Sequence, residues 1–385
     1  MARWICNWAT LVVIAAGVYA GVAGFAVVGT RAQTQMPAPA PGQKAGDFFK
    51  NVTTSSLKEM NVDDFIASMG VISAALGMDC ADCHPNAGTD KVNWVIDTAR
   101  KRTARRMVEM VAAINRANFG GAQKVTCWSC HHGRDVPATS VALDKWYDAP
   151  NEEFDDLLRA DENEPPVDQI FDKYLQALGG TAKLSTIRSF VATGTSVGFG
   201  QLGGNAAFTM YAKAPSQRTT KINYPDHPER PTSVWATNGP SAWIKTPRGL
   251  LQEYQVEGGE LDGQRFEAQL AFPAQLKQAL TSWRVGSMRT LGDTSYRVVQ
   301  GNGPRGFLAT LYFDADSGLL VRMVRYGSSP IGHVQTQVDY ADYRDVAGVK
   351  FPFELKFSWL DGRYTAKIAD IKVNVPIEDA VFGRP

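Results

Sequence analysis

The chain has 385 residues, 44% of them hydrophobic, with 40 Lys and Arg against 39 Asp and Glu. That length fits two or three domains of roughly 150 residues each. A formal charge of +1 excludes the clustered basic excess of a nucleic-acid-binding protein.

Residues 1–32 read as an export leader. Arg3 is followed by an apolar run from Trp8 to Gly29, with Thr30 and Ala32 at the small-residue positions of a cleavage site. The run also reaches the roughly 20 residues needed to cross a bilayer, so an uncleaved membrane anchor is the alternative. Either way, the bulk of the chain is expected in the periplasm or at the outer face of the inner membrane. Residues 33–46 are Pro-rich and read as a tether.

Residues 47–147 read as a helical domain. Asn61 is placed to cap a helix, with Asp63 and Asp64 in its first turn and Phe65, Met69 and Ile72 on one face. A second helix is expected from Asp97 to Ala117. Its apolar stripe is Met107, Met110, Val111 and Ile114, and Gly120 and Gly121 end it. The basic run Arg100, Lys101, Arg102, Arg105 and Arg106 reads as a solvated face, or as a guide for an acidic partner. Residues 148–166 form an acidic connector.

Residues 167–385 change character. Val167, Ile170, Phe171, Tyr174 and Leu178 mark one more helix, stopped by Gly179 and Gly180. Alternation then dominates, with strands at FTMYAKA, SVWATNG and SAWIKTP. Hairpins are expected at Asp316-Ser317-Gly318 and at Asp361-Gly362. FPAQLKQALTSW, 272–283, reads as a helix among the strands. The pattern implies a strongly curved antiparallel sheet with helices on one face.

The chemistry sits in CADCH, 80–84, and CWSCH, 127–131, two copies of C-x-x-C-H. Two thiols three residues apart can each add to a haem vinyl group, and the next residue then lies below the iron, where histidine supplies a neutral imidazole. Ribbon-type zinc sites need their Cys pairs about 15–20 residues apart, whereas 43 residues separate Cys83 from Cys127 here. A redox dithiol does not call for His after both pairs. The reading is therefore two covalently attached haems c, anchored by Cys80 and Cys83 and by Cys127 and Cys130, with His84 and His131 as iron ligands. His132 is a bystander. Each sixth ligand is expected from a Met thioether on the preceding helix: Met69 for the first motif, and Met107 for the second, with Met110 its competitor.

FIASMGVISAALGMDCADCHP and ARRMVEMVAAINRANFGGAQKVTCWSCHHG resemble the first two haem segments of the cytochrome c subunit of bacterial photosynthetic reaction centres. The resemblance implies a ligand Met on a helix alongside each haem. In the second segment it is the Met directly after paired arginines, which is Met107. The family has four haems and this chain has two motifs. A histidine that the family carries between the second Met and its C-x-x-C-H is missing, so membership of a photosynthetic complex does not follow. ALGGTAKLSTIRSFVATGT and the later strands resemble periplasmic lipoprotein carriers of the LolA type, half-barrels that hold acyl chains.

The expected architecture is multidomain: a mainly α dihaem cytochrome c domain, then an α+β domain (167–385) with a curved, half-barrel-like antiparallel sheet. The expected function is electron transfer between redox partner proteins rather than enzymatic catalysis. A dihaem peroxidase, which needs an exchangeable axial position, is one alternative. The other is a module that binds lipid or another hydrophobic ligand and carries a redox-sensing haem domain.

Overall fold

In the computed structural model, the structure describes residues 36–385 except 90, 138, 141–157, 199–205, 228–230, 247–249, 252 and 292–293. The leader expected at 1–32 and most of the acidic connector lie outside the described residues. Among those described, no helix is long and apolar enough to cross a membrane.

The N-terminal part is helical. A short turn, α1 (Ala45–Phe48), leads to α2 (Val62–Leu76). Asn61 stands at the N-cap of α2, but its side chain takes the Lys44 ammonium at 3.2 Å instead of a backbone N–H. Single turns α3 (Cys80–Cys83) and α5 (Trp128–His131) carry the two motifs, and α4 (Ala99–Phe119) runs between them. Thr98 caps α4, and Gly120, in the left-handed region at φ 60°, ends it. The Pro-rich segment is docked at its C-terminal end: the Gly42 N–H donates to Glu257, and Met36 packs on the α2 core.

The C-terminal part is one antiparallel sheet of thirteen strands. Its first half is β1 (Ser189–Val197), β2 (Ala206–Lys213), β3 (Gln217–Asn223), β4 (Ser233–Thr237), β5 (Ala242–Lys245) and β6 (Glu253–Val256). Its second half is β7 (Ser282–Leu291), β8 (Thr294–Asn302), β9 (Leu308–Asp314), β10 (Leu320–Ser329), β11 (Gly332–Val346), β12 (Val349–Trp359) and β13 (Gly362–Val373). The order is β6-β5-β4-β3-β2-β1-β13-β12-β11-β10-β9-β8-β7, so the first and last strands meet in the middle.

The sheet is curled. Glu267 pairs with Arg218 on β3 at 2.9 Å and with Arg325 on β10 at 2.7 Å. Those strands are six places apart in the order, which in a flat sheet is about 29 Å at 4.8 Å per strand. Only a sheet bent around the helix that carries Glu267 brings both arginines to one carboxylate.

That helix is α8 (Gly258–Leu270), which the sequence pattern did not announce. Three glycines depress its helix propensity, yet one of them is needed. A Cβ at Gly263 would stand 2.4 Å from Arg325 Nη1, so the helix approaches the arginine only without a side chain there. The helix expected at 272–283 is instead a 3-10 turn, Pro273–Gln278, and Ser282 already opens β7. The Asp361-Gly362 hairpin is present with shifted centre. Trp359 pairs with Gly362, so Leu360 and Asp361 form the turn.

Two cores result. The larger fills the concave face, where α6 (Val167–Ala177) buries Ile170, Phe171, Tyr174 and Leu175 and the short α7 (Thr181–Leu184) buries Leu184, together with α8. The smaller joins Phe49, Phe65, Val71 and Val108 of the helical part to Leu251 and Ile331 of the sheet loops. Between α2 and the sheet lies a cavity of about 750 Å³.

Candidate haem-attachment site

The first motif is built by local capping. The Asp79 carboxylate accepts from the N–H groups of Ala81 (2.8 Å) and Asp82 (3.2 Å), while the Asp82 carboxylate accepts from the N–H of Asp79 at 3.0 Å. This reciprocal cap winds Cys80–Cys83 into one turn and places the two thiols at i and i+3, on the same side. Both cysteines are free thiols, Cys80 exposed and Cys83 half-buried. His84 follows at the C-cap with its ring against Trp94, centroids 4.9 Å apart. Burial, aided by the Lys101 charge, pulls its pKa down to about 4. The imidazole is therefore neutral, the form that ligates metal. Its buried Nδ1 has no hydrogen-bond partner, so no structural bond consumes that nitrogen.

The second motif is held from behind by α4. Asn115 is 4% exposed; its Oδ1 accepts from the N–H groups of Lys124 (3.1 Å) and Val125 (2.9 Å), and its Nδ2 donates to Val125 O at 2.8 Å. The Cys127 N–H then donates to Ile331 O at 3.1 Å, tying the motif to the β10–β11 turn. Burial pushes the Cys127 thiol up to about 11. His131 Nδ1–H donates to Arg134 O at 2.9 Å. Such a bond fixes the tautomer and ring orientation and leaves Nε2 for a metal. His132 caps the turn in the left-handed region at φ 48°, with its ring 5.6 Å from Trp128. We expect Asn115→Ala to cost about 1–3 kcal/mol, because two buried N–H groups and a carbonyl lose their partner. Urea denaturation measures this, and Asn115→Asp, which keeps the acceptor, recovers part of it.

The two motifs are neighbours. The Gly133 N–H donates to Ala75 O at 2.9 Å, and a Cβ on Gly77 would meet Gly133 O at 2.3 Å. Gly77, at φ 63°, both ends α2 and leads three residues later into Cys80. The end of α2 is thus stitched to the loop that leaves the second motif.

Met69 on α2 and Met107 on α4 are half-buried, and Met69 packs on the smaller core. Met110 is 42% exposed. Six of the eight exposed large apolar side chains among the described residues, Val95, Ile96, Met110, Phe119, Trp128 and Val136, fall in the motif region. An apolar surface gathered around two C-x-x-C-H turns is what a covalently held, largely apolar macrocycle would cover. Among the described residues, no group of three or more His, Cys, Asp and Glu side chains converges as a metal cage. Haem requires none, since the thiols bind the porphyrin edge and, of these four residue types, only His reaches the iron.

The basic run is largely consumed locally. Lys101 turns inward and donates to Trp94 O and Ile96 O, both at 2.9 Å. Arg100 pairs with Asp82 at 2.9 Å and Arg105 with Asp97 at 2.7 Å. Charge alone had not distinguished a solvated face from this inward lysine.

Each turn thus sets two thiols on one side, with a histidine next in the chain. Residues 26–167 match the family of the photosynthetic reaction centre cytochrome c subunit. The Thermochromatium tepidum subunit of that name is 31% identical over 113 residues, 28% of this chain and 26% of that protein. The chain thus spans about a quarter of the length of this relative. The match covers the segment that carries both motifs. Solved structures similar to the chain include a LolA superfamily protein from Nitrosomonas europaea, at 12% identity and a TM-score of 0.38, covering 57% of this chain and 99% of that one. A putative outer membrane lipoprotein-sorting protein domain from Vibrio parahaemolyticus has 10% identity and a TM-score of 0.37, covering 56% and 94%.

Proposed function

We propose that the protein is an exported dihaem c-type cytochrome that passes electrons between redox partner proteins. The observation that carries this reading is the pair of C-x-x-C-H turns, each with its thiols on one side and an imidazole available behind them. Cys80 and Cys83 would hold one haem and Cys127 and Cys130 the other, as thioethers. His84 and His131 would be the proximal ligands, and Met69 and Met107 the sixth ligands. When bound, the haems supply one-electron cycling between ferric and ferrous iron.

The chain's own part is to bind, orient and shield. The Arg134 carbonyl orients His131, and burial keeps His84 neutral. The exposed apolar residues between 95 and 136 would cover porphyrin faces and leave an edge for a docking partner. Residues 1–32 would direct the chain across the inner membrane and leave it periplasmic or anchored on the outer face.

The test is the full chain, exported in a bacterium that matures c-type cytochromes. Intact mass should show two covalent haems, and the spectrum should be low-spin with a Met–iron band. Met69→Ala and Met107→Ala should each weaken that band, and Met110→Ala should leave it unchanged. A chain without covalent haem would end this reading.

A further inference from the structure

The cavity between α2 and the sheet has no part in haem attachment. Its volume, about 750 Å³, lies in the range of small-molecule sites. One wall is aromatic: Phe357 and Tyr364 stack face to face at 4.7 Å and 23°, and the Trp235 ring lies 6.4 Å from Tyr364 at 30°. The opposite wall is α2, through Asp63, Ile66, Ala67 and Gly70.

The polar groups of the cavity divide into two kinds. Arg218 and Arg325 are committed, since both bind Glu267 and Arg325 also binds Glu260 at 2.6 Å. Asp63 and Asp361 also line the cavity, and among the described residues no ion pair joins either to a cation. Asp63 accepts one N–H, from Glu257 at 2.8 Å, and Asp361 accepts from the Trp359 side chain. When ionised, each carboxylate keeps acceptor capacity and offers no donor, although burial pushes the pKa of both above the ordinary 3.8. Asp361 sits beside Gly70: a Cβ there would be 3.9 Å from its carboxyl carbon. Asp63 is seven residues earlier on the same helix, about 10 Å along the axis at 1.5 Å per residue. A ring with hydroxyls at opposite ends, plus a hydrogen bond of about 2.7 Å at each, spans a gap of that order. An acyl chain would leave both carboxylates and the ion pairs facing hydrocarbon.

We propose that this cavity binds a substituted hydroquinone, held against the aromatic wall with its two hydroxyls donating to Asp63 and Asp361, and that this molecule is an electron donor to the protein. The binding half stands on the cavity alone; the redox half rests on the dihaem reading above. Acceptor-only carboxylates bind the dihydroxylated form and repel the carbonyl oxygens of the quinone. Oxidation breaks two O–H bonds, releases two protons to water and turns the ring into the quinone. The two electrons leave singly, one to each of two ferric haems, so donor and acceptor match in number. The cavity adjoins the first motif through α2: Gly70, which lines it, directly follows Met69.

The test is calorimetry on the full exported chain, pre-reduced and freed of reductant, with trimethylhydroquinone and with its dimethyl ether, which has no donor. The hydroquinone should bind at least about tenfold more tightly, the scale of hydrogen bonds to charged groups. Asp63→Asn and Asp361→Asn should each narrow that gap. The second keeps a good turn residue before Gly362 and so keeps the hairpin. Mixing the ferric protein with trimethylhydroquinone should form one quinone per two haems reduced. Equal affinity for the ether, or binding of palmitate or tetramethylammonium in place of the hydroquinone, would overturn the proposal. Intact mass of the same sample separates the two readings. Two haems without hydroquinone binding overturn the cavity proposal alone. Selective binding by a chain without haem overturns the dihaem reading and the redox half, and leaves the binding site standing.

Discussion

Cys80→Ser with Cys83→Ser should leave one covalent haem per chain, Cys127→Ser with Cys130→Ser should leave the other, and all four together should leave none. The independence follows from how each motif is built. The first is wound by its own cap, through Asp79 and Asp82. The second is held by Asn115 and by Ile331 O, neither of which touches that cap. Losing the second attachment should cost more stability, because Cys127 packs on the smaller core and Cys80 is exposed. A cofactor bound only by the folded state stabilises it, so each loss should also lower the melting temperature. The apolar residues of the motif region would then meet water, and a dye that binds apolar surface should report them. Intact mass and absorbance count the haems; two haems retained by either double variant would defeat the attachment scheme.

The second large effect is on stability. Arg325→Met should destabilise the protein by about 3–5 kcal/mol, the cost of breaking a buried ion pair from one side. The Arg325 side chain is 5% exposed and binds Glu260 at 2.6 Å and Glu267 at 2.7 Å; Glu267 is itself only 10% exposed. Removing the guanidinium leaves a buried carboxylate with Arg218 alone. The effect depends on pH. Burial would raise the Glu267 pKa, but Arg325 and Arg218 outweigh it and hold the carboxyl below its ordinary 4.5. A depressed carboxyl stabilises the fold fully above the unfolded pKa, and that contribution fades as the pH falls through the folded value. The difference between wild type and Arg325→Met in urea should therefore be greatest near neutrality and shrink below about pH 4.5. A difference that is constant with pH would mean that the arginine acts through packing alone.

The motif was legible because covalent chemistry fixes its spacing: two thiols and a histidine must occupy one turn whatever surrounds them. The start of α2 after Asn61 was legible, as were the α4 boundaries within two residues, since Gly120 ends that helix as a left-handed cap. The antiparallel sheet was legible in its alternation and turns. What sequence hid was long-range. Glu267 meets Arg325 across 58 residues and Arg218 across 49, and nothing local marks them as partners. For the same reason α8 went unannounced in the sequence: Gly263 answers to Arg325, not to its own helix. At 272–283 the apolar spacing imitated a helix, but Pro273 starts a 3-10 turn and Trp283 belongs to a strand.

The pairing of β1 with β13 bears on the order of events during synthesis. The strand emerging first from the sheet region, Ser189–Val197, cannot complete its ladder until Gly362–Val373 has been made. Pairings of such separation form late, because the loop they close is long. The β12–β13 turn, Leu360-Asp361, is also what packs on α2 beside Gly70. A chain delivered N-terminus first would thus present its cysteine pairs while the far wall of the cavity is still unmade. On the proposed reading, haem attachment and cavity closure would be successive stages, with the thiols open to the attachment machinery before the last hairpin folds down over the helix.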